Sequence, residues 1–301
     1  MNSENSPSLS KVTKSILNEN GIKLNKNLGQ NYLIDKNKRD QIINFGNINK
    51  DDVILEIGTG IGTLTIELAK KAKKVIAIEQ DSNICKILAK RLKDEKIDNV
   101  ELINDDALNV EFPKFNKIIS NLPYQISSPI TFKFLDYDFD LAILMYQKEF
   151  ADRMNGEVGT KNYSKLSTML YFKCDVEKLT DVSAESFIPK PKIDSSVVKL
   201  TPKENKISHE DFKVYSKFTK ALFQHRNKKI RNALIDSRHV ITNLDKKEMK
   251  KCMNSIEDEK LMSVTVILSV SLDAYMATIP DPVPISKTLC PCLISRLSAS
   301  K

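Results

Sequence analysis

The sequence predicts an α/β fold, a parallel sheet covered by helices on both faces, followed by a smaller helical unit. Three observations predict it. Short apolar runs alternate with amphipathic segments between Val53 and Tyr146. The first of these runs ends in a glycine loop, Glu56-Ile57-Gly58-Thr59-Gly60-Ile61-Gly62. After Pro202 the pattern becomes helical and basic.

The elements follow in chain order. Residues 1–25 read as a polar lead-in with one short helix, Lys11 to Asn20. Val53 to Ile57 is apolar and ends at the glycines, so it reads as a buried parallel strand. Thr63 to Lys71 has helical spacing through Leu64 and Leu68. Val75 to Glu79 is a second strand, and Ile84 to Leu92 a helix with apolar residues at 84, 87, 88 and 92. Val100 to Ile103 and Lys117 to Ser120 are the third and fourth strands. Pro129 to Leu135 is helical, with proline tolerated in the first turn. Leu141 to Tyr146 is the fifth strand. Tyr163 to Phe172 reads as a helix, and Cys174 to Val182 and Ser195 to Leu200 as strands. Between those strands Phe187-Ile188-Pro189-Lys190-Pro191 is a stiff loop. Beyond it Val214, Phe218, Leu222, Ile230, Ala233 and Leu234 can line a buried stripe. The expected division is a lead-in over 1–25, a catalytic domain over 26–202, a basic helical RNA-binding domain over 203–262, and an atypical tail over 263–301.

Composition bounds the partners. Of 301 residues 41% are apolar, enough for a large core, and the net charge is +8. The positive excess is concentrated: Lys213 to Arg238 holds eight Lys/Arg against the single acid Asp236, and Lys11 to Asp40 is also basic. Such patches suit a polyanion, although a charge run can equally be a solvated helix face. The five cysteines are irregularly spaced and there are only three histidines, so no metal site is expected. Neither a signal peptide nor a membrane span is legible; the longest apolar-leaning stretch, Val264 to Leu272, is too short. A cytoplasmic protein is expected.

In a parallel sheet, ligands bind beyond the carboxyl ends of the strands. Gly58, Glu79, Asp106 and Asn121 all fall at or just after a strand end and should converge on one crevice. A dinucleotide fingerprint requires glycine at the sixth position of its motif, where this chain has Thr63. Glycines at 58, 60 and 62 suit S-adenosylmethionine, which has no pyrophosphate to cradle. Glu79 can accept from ribose hydroxyls and Asp106 from an adenine amino group, with Asp105 an alternative one position away. The amides of Gln30 and Asn31 can close the methionine end of the site, or cap a helix starting near Asp35.

Asn121-Leu122-Pro123-Tyr124 follows the fourth strand directly. A ring amino group is a poor nucleophile because its lone pair is delocalised. Two acceptors, the Asn121 side-chain oxygen and the Leu122 carbonyl, can hold its two hydrogens and draw the lone pair out. Pro123 biases Leu122 to an extended backbone, aiming that carbonyl. Tyr124 can stack on the base, and Phe187 can supply a second face or simply pack in the core.

These segments, in this order, resemble the ribosomal RNA adenine dimethyltransferases, the kasugamycin-resistance type with its archaeal and eukaryotic relatives. The resemblance rests on Leu28 to Leu33, Glu56 to Gly62, Ile78 to Asp81, Asp105 to Ala107, Asn121 to Tyr124, Phe187 to Ser195 and Phe223 to Leu234. It implies a Rossmann-like, S-adenosyl-L-methionine-dependent methyltransferase domain with a small helical C-terminal domain. The implied reaction is two methylations on each of two adjacent adenines near the 3′ end of small-subunit ribosomal RNA; the expected working form is a monomer, and the expected substrate is that RNA within an assembling 30S-type particle. Carried over, Asn31, Leu33, Gly58, Glu79, Asp106 and Asn121 contact the cofactor, joined by Gln30 and Gly60. Asn121 to Tyr124 and Phe187 hold the base, while Arg226, Lys228, Lys229 and Arg231 contact phosphates. Members usually close with a basic strand-like turn and an acid-started helix; no such pattern follows Met262, so an altered or disordered tail is expected. The rivals are large-subunit RNA dimethylation and an inactive, RNA-binding assembly factor.

Overall fold

The computed structural model describes residues 8–22, 30–203, 209–225 and 227–254. They fall into two compact units. The first comprises the described residues up to Asp152 together with Cys174–Pro202; the second comprises Arg153–Lys173 and the described residues from Lys203 onward. The sequence-based division is contiguous, whereas here Arg153–Lys173 groups with the second unit. The expected tail over 263–301 lies outside the described residues.

The first unit is a seven-stranded sheet flanked by helices. In chain order its elements are α1 (Leu9–Glu19), β1 (Tyr32–Leu33), α2 (Lys36–Phe45), β2 (Val53–Ile57), α3 (Thr65–Lys71), β3 (Lys74–Ile78), α4 (Ser82–Asp94), β4 (Val100–Ile103), β5 (Lys117–Asn121), α5 (Ser127–Phe134) and β6 (Leu141–Gln147). A connecting helix, α6 (Lys148–Met154), leads out, and α7 (Lys165–Lys173) belongs to the second unit. The chain returns as β7 (Cys174–Val182), β8 (Phe187–Ile188) and β9 (Ser195–Pro202). Strand order is β4-β3-β2-β5-β6-β9-β7, and a separate two-stranded ribbon pairs β1 with β8. The first five strands are parallel; β9 is antiparallel to both β6 and β7. Apolar residues on both faces of β2, β3 and β5 explain the continuous burial of Ile54, Leu55, Val75, Ile76, Ile118 and Ile119. Each such side chain contributes about 1.5–3 kcal/mol on burial.

Two local differences from expectation have clear causes. The helix after the glycine loop starts at Thr65 rather than Thr63 because Gly62 N–H bonds back to the Thr59 carbonyl in a turn. The β1–β8 ribbon carries no sequence signal, being two residues per strand and joined by long-range pairing of Tyr32 with Ile188 and Leu33 with Phe187. Asp35 itself caps α2, accepting from Lys38 N–H at 3.1 Å, which frees the preceding amides from that task.

The end of the sheet opposite the glycine loop is closed by a buried ion pair. Asp52 accepts from Lys117 Nζ at 2.9 Å, from Asn49 N–H and from Asn116 Nδ2, while Lys117 also donates to the Asn47 carbonyl. Asp52 is 2% exposed and Lys117 9%. Burial pushes the Asp52 carboxyl up, but the bonds and the lysine charge outweigh it and hold the carboxyl below its ordinary value. Asp52→Ala strands a buried ammonium and is expected to lower stability by about 3–5 kcal/mol. The depressed carboxyl binds its proton more weakly folded than unfolded. The pair's contribution is therefore present above pH ~4 and disappears as pH falls through the folded value. Urea melts at pH 7 and pH 3 check both points; a variant within 1 kcal/mol (~) of the parent at pH 7 rules the pair out as a stabilising element.

The second unit packs α7 on α8 (His209–Phe223), α9 (Ile230–Asp236), α10 (Arg238–Ile241) and α11 (Lys246–Asn254). Tyr215 donates its hydroxyl to the Thr168 carbonyl at 3.1 Å, and its ring meets Phe172 edge-on at 4.5 Å. The buried stripe of α8 runs through Phe212, Tyr215, Phe218 and Thr219, so Val214 and Leu222 lie on its margin. Lys213 and Lys220 are exposed, as the amphipathic pattern requires.

Candidate active site

The crevice forms where the strand order reverses. β2 and β5 pair through Ile54–Lys117 and Leu55–Ile118. Towards the carboxyl end the Ser120 hydroxyl takes over, donating to the Ile57 carbonyl at 2.6 Å and accepting from Ile57 N–H at 3.3 Å. Ser120 is fully buried, so its hydroxyl ties the strand that carries the glycine loop to the strand that carries Asn121. Beyond it the chains diverge into a pocket of about 360 Å³, within the usual range for small ligands.

Gly58 leaves β2 with φ +69°, and its N–H bonds the Ile78 carbonyl at 2.8 Å. A Cβ at Gly58 would lie 2.7 Å from Pro123 Cγ, so the glycine loop and the Asn121 segment are in van der Waals contact. Gly60 has φ +55° and faces the Tyr32 ring, which a Cβ would approach to 2.9 Å. Glu79, just after β3, accepts from Gly60 N–H at 2.9 Å and from Asp81 N–H at 3.0 Å. Asp81 caps α4 and also accepts from Gln30 Nε2 at 3.0 Å. The loop after β4 is folded on Asp106, whose Oδ1 accepts from Leu108 N–H at 2.9 Å. Lys133 on α5 binds that loop through the carbonyls of Ala107 at 2.8 Å, Leu108 at 3.2 Å and Val110, and lies over the Phe112 ring.

The pocket is lined by Gln30, Asn31, Leu33, Gly58, Gly60, Glu79, Asp106 and every residue from Asn121 to Tyr124, so the sequence-predicted residues of this unit converge, with one exception. Phe187 does not line it. The ring is 2% exposed and packs in the core with Leu33, Ile43, Val182 and Val197, because its two-residue strand pairs with β1. Of the two roles open to Phe187 in sequence, this structure has core packing. Asp105 lines the pocket beside Asp106, so the adjacent pair stays together at the site.

Asn121 has a determined orientation. Its Nδ2 donates to the Asn31 carbonyl at 3.1 Å. A carbonyl cannot donate, so the amide nitrogen must occupy this side and Oδ1 the other. Pro123 has φ −59° and ψ 125°, and Tyr124 follows on a short 3-10 turn with its hydroxyl 2.6 Å from Ser195 Oγ.

Glu56, Tyr32 and Ser195 fall within the motifs read from sequence, but neither they nor Ser120 were given a role of their own there. Glu56 is the one acid inside a buried apolar run. It is 2% exposed and lines the pocket, and its Oε2 has no hydrogen-bond partner. Burial, opposed by a bond from Thr65 and reinforced by the nearby Glu79 carboxylate, pushes it up to about 8. Glu79 is also raised by burial, against the opposing bonds from Asp81 and Gly60 N–H. A buried carboxyl in the wall, two left-handed glycines and a ring of acceptors fit an adenosyl ligand with a cationic centre and ribose hydroxyls.

The predicted phosphate-binding residues lie in the second unit, except that Arg226 falls outside the described residues. Lys229 is exposed. Lys228 is exposed but paired with Asp236 at 2.7 Å, and Arg231 donates to the Met253 carbonyl. Among the described residues no group of three or more His, Cys, Asp or Glu could hold a metal ion, and no helix is long and apolar enough to cross a membrane.

A family model described as ribosomal RNA adenine dimethylase matches residues 21–269. The chain is 51% identical over 257 residues to the probable ribosomal RNA small subunit methyltransferase A of Methanosphaera stadtmanae, spanning 84% of this chain and 93% of that protein. The protein of the same description from Pyrococcus abyssi is 45% identical over 241 residues, spanning 80% and 87%. Among solved structures, a dimethyladenosine transferase from Plasmodium falciparum superposes with TM-score 0.66 at 32% identity, covering 80% of this chain and 92% of that one. The 23S rRNA methyltransferase ErmE superposes with TM-score 0.56 at 28% identity, covering 68% and 84%.

Proposed function

Since this chain belongs to the ribosomal RNA adenine dimethylase family, we propose that its pocket transfers methyl groups to the exocyclic amino groups of two adjacent adenines near the 3′ end of small-subunit ribosomal RNA. The protein is an S-adenosyl-L-methionine-dependent rRNA adenine dimethyltransferase. When bound, the cofactor supplies a methyl group made electrophilic by a sulfonium sulfur. On our reading, Gly58 and Gly60 admit it closely, Glu79 takes its ribose, Asp106 its adenine, and Gln30, Asn31 and Leu33 close the remaining wall.

The observation that carries the reading is the fixed amide of Asn121. With Nδ2 committed to the Asn31 carbonyl, Oδ1 is the atom that receives one hydrogen of the target amino group. The Leu122 main-chain carbonyl receives the other. Both acceptors draw density onto the nitrogen as it becomes cationic in the transition state, and neither has to reorganise. No strong base is needed, because the product ammonium is acidic and loses its proton readily. Tyr124 supplies the stacking face that an extruded base has lost. Phosphate contacts by Arg226, Lys228, Lys229 and Arg231 position the RNA and make binding salt-sensitive. The Lys228–Asp236 pair is exposed and worth little, so phosphate can displace the carboxylate. We take the working form to be a monomer acting on an assembling 30S-type particle in the cytoplasm.

The test is transfer of labelled methyl groups to unmodified small subunits and, separately, to large subunits, followed by mapping of the label. Label confined to dimethyladenine at two neighbouring small-subunit positions is expected. Label in large-subunit RNA would identify the macrolide-resistance reaction instead. No label in either would leave a non-catalytic assembly factor.

A further inference from the structure

The aromatic face offered to the base is held from behind by a residue outside the pocket. Tyr124 lines the pocket, whereas Phe187 is withdrawn into the core. A tyrosine ring on a short turn has two free side-chain torsions. Here the far end of the ring is anchored, because the phenolic oxygen lies 2.6 Å from Ser195 Oγ.

Ser195 is well suited as an anchor. It is fully buried at the start of β9, in register with Gln147 of β6 and Val182 of β7. Its neighbours are fixed on each side. The Asp194 carbonyl accepts from Lys148 N–H at 3.0 Å, and the Asp194 carboxylate accepts from Ala184 N–H at 2.9 Å. The Ser196 hydroxyl donates to Asp181 at 2.6 Å. The phenol is therefore tied to the sheet. Burial also raises the Tyr124 hydroxyl above its ordinary value, so it stays protonated and bonded through the working pH range.

We propose that Ser195 is a positioning residue for methyl transfer: its hydroxyl fixes the Tyr124 ring so that the stacked adenine presents its amino nitrogen to Asn121 at the required height. This deepens the proposed function and rests on Tyr124 being the face of the base. Ser195 does not line the pocket, so on this proposal its removal acts on the rate of transfer. Small displacements of a reacting group lower the population of attack-ready geometries without removing the contacts that bind RNA or cofactor.

A double-mutant cycle tests it in the full chain with small subunits as substrate. Tyr124→Phe and Ser195→Ala each remove one side of the hydrogen bond, and each is expected to slow single-turnover transfer about fivefold, the worth of one neutral hydrogen bond. The double variant should be no slower than either single one, with cofactor Kd and substrate KM within about twofold of the parent. Multiplying effects, near 25-fold (~) in the double variant, or a Ser195→Ala rate equal to the parent's, overturn the proposal. A merely structural serine would show its loss equally in both Tyr124 backgrounds, together with a lower Tm. Tyr124→Ala separates the layers. Parental rates in that variant would show that Tyr124 is not the face of the base, and would remove the underlying reading along with the inference.

Discussion

Asn121→Ala is expected to lower methyl transfer by on the order of 10²–10³, the loss seen when one preorganised group facing developing charge is removed. Its effect on cofactor affinity should be much smaller, because the rest of the pocket wall is unaltered. The substitution removes one of the two acceptors for the amino group and the Nδ2 bond to the Asn31 carbonyl. The Ser120 hydroxyl still clamps β5 to β2, so the strand end stays in place. Single-turnover transfer measured beside cofactor titration separates the two effects. Near-parental transfer with weakened cofactor binding would assign Asn121 to the cofactor alone. A parallel loss in both would mean that the segment had collapsed, and Tm would report it.

Gly58→Ala should damage both halves of the site together. At φ +69° an L-residue costs roughly 1–2 kcal/mol. The new Cβ would meet Pro123 Cγ at 2.7 Å and Cδ at 2.8 Å, inside any real carbon contact. Overpacking of this kind costs about 1–3 kcal/mol. Something must shift, and the listening side is the backbone that aims the Leu122 carbonyl. Cofactor affinity is expected to fall more than about tenfold, with transfer at saturating cofactor reduced as well. Gly21→Ala is the control: its φ is +60° but nothing lies within 4 Å, so it bears only the conformational penalty. Equal losses of stability and affinity in the two variants would show that the Gly58–Pro123 contact has no consequence.

The parts of this molecule that were legible in sequence are those whose signal is local. A buried parallel strand is a short apolar run, and its end is marked by glycine or by a polar residue, so β2, β3, β4, β5 and β6 could be located. The pocket followed from topology, since residues at the carboxyl ends of such strands have to converge. What sequence could not show depends on distant partners. Leu33 and Phe187 are far apart in the chain and pair over only two residues. An aromatic residue beside a proline-stiffened loop serves equally as a stacking face or as core, and only its neighbours decide between them. Serine is uninformative by type, yet Ser120 and Ser195 make bonds that organise the site. Arg153–Lys173 reads as a continuation of the catalytic domain, but its helix packs on α8, with Phe172 against Tyr215, and groups with the second unit.

Placing β9 between β6 and β7 has a consequence for how the chain is made. During synthesis β6 emerges long before β9, with the second unit's first segment intervening. At ribosomal rates of roughly 5–20 residues per second, the open side of β6 waits for ~2–10 s. That edge carries Ala142 to Tyr146, all fully buried once folding is complete. An apolar strand with an unpaired edge is a template for the wrong partner. Nascent chains interrupted before Pro202 should therefore be the aggregation-prone species, and chaperone demand during translation should fall once β9 has been released.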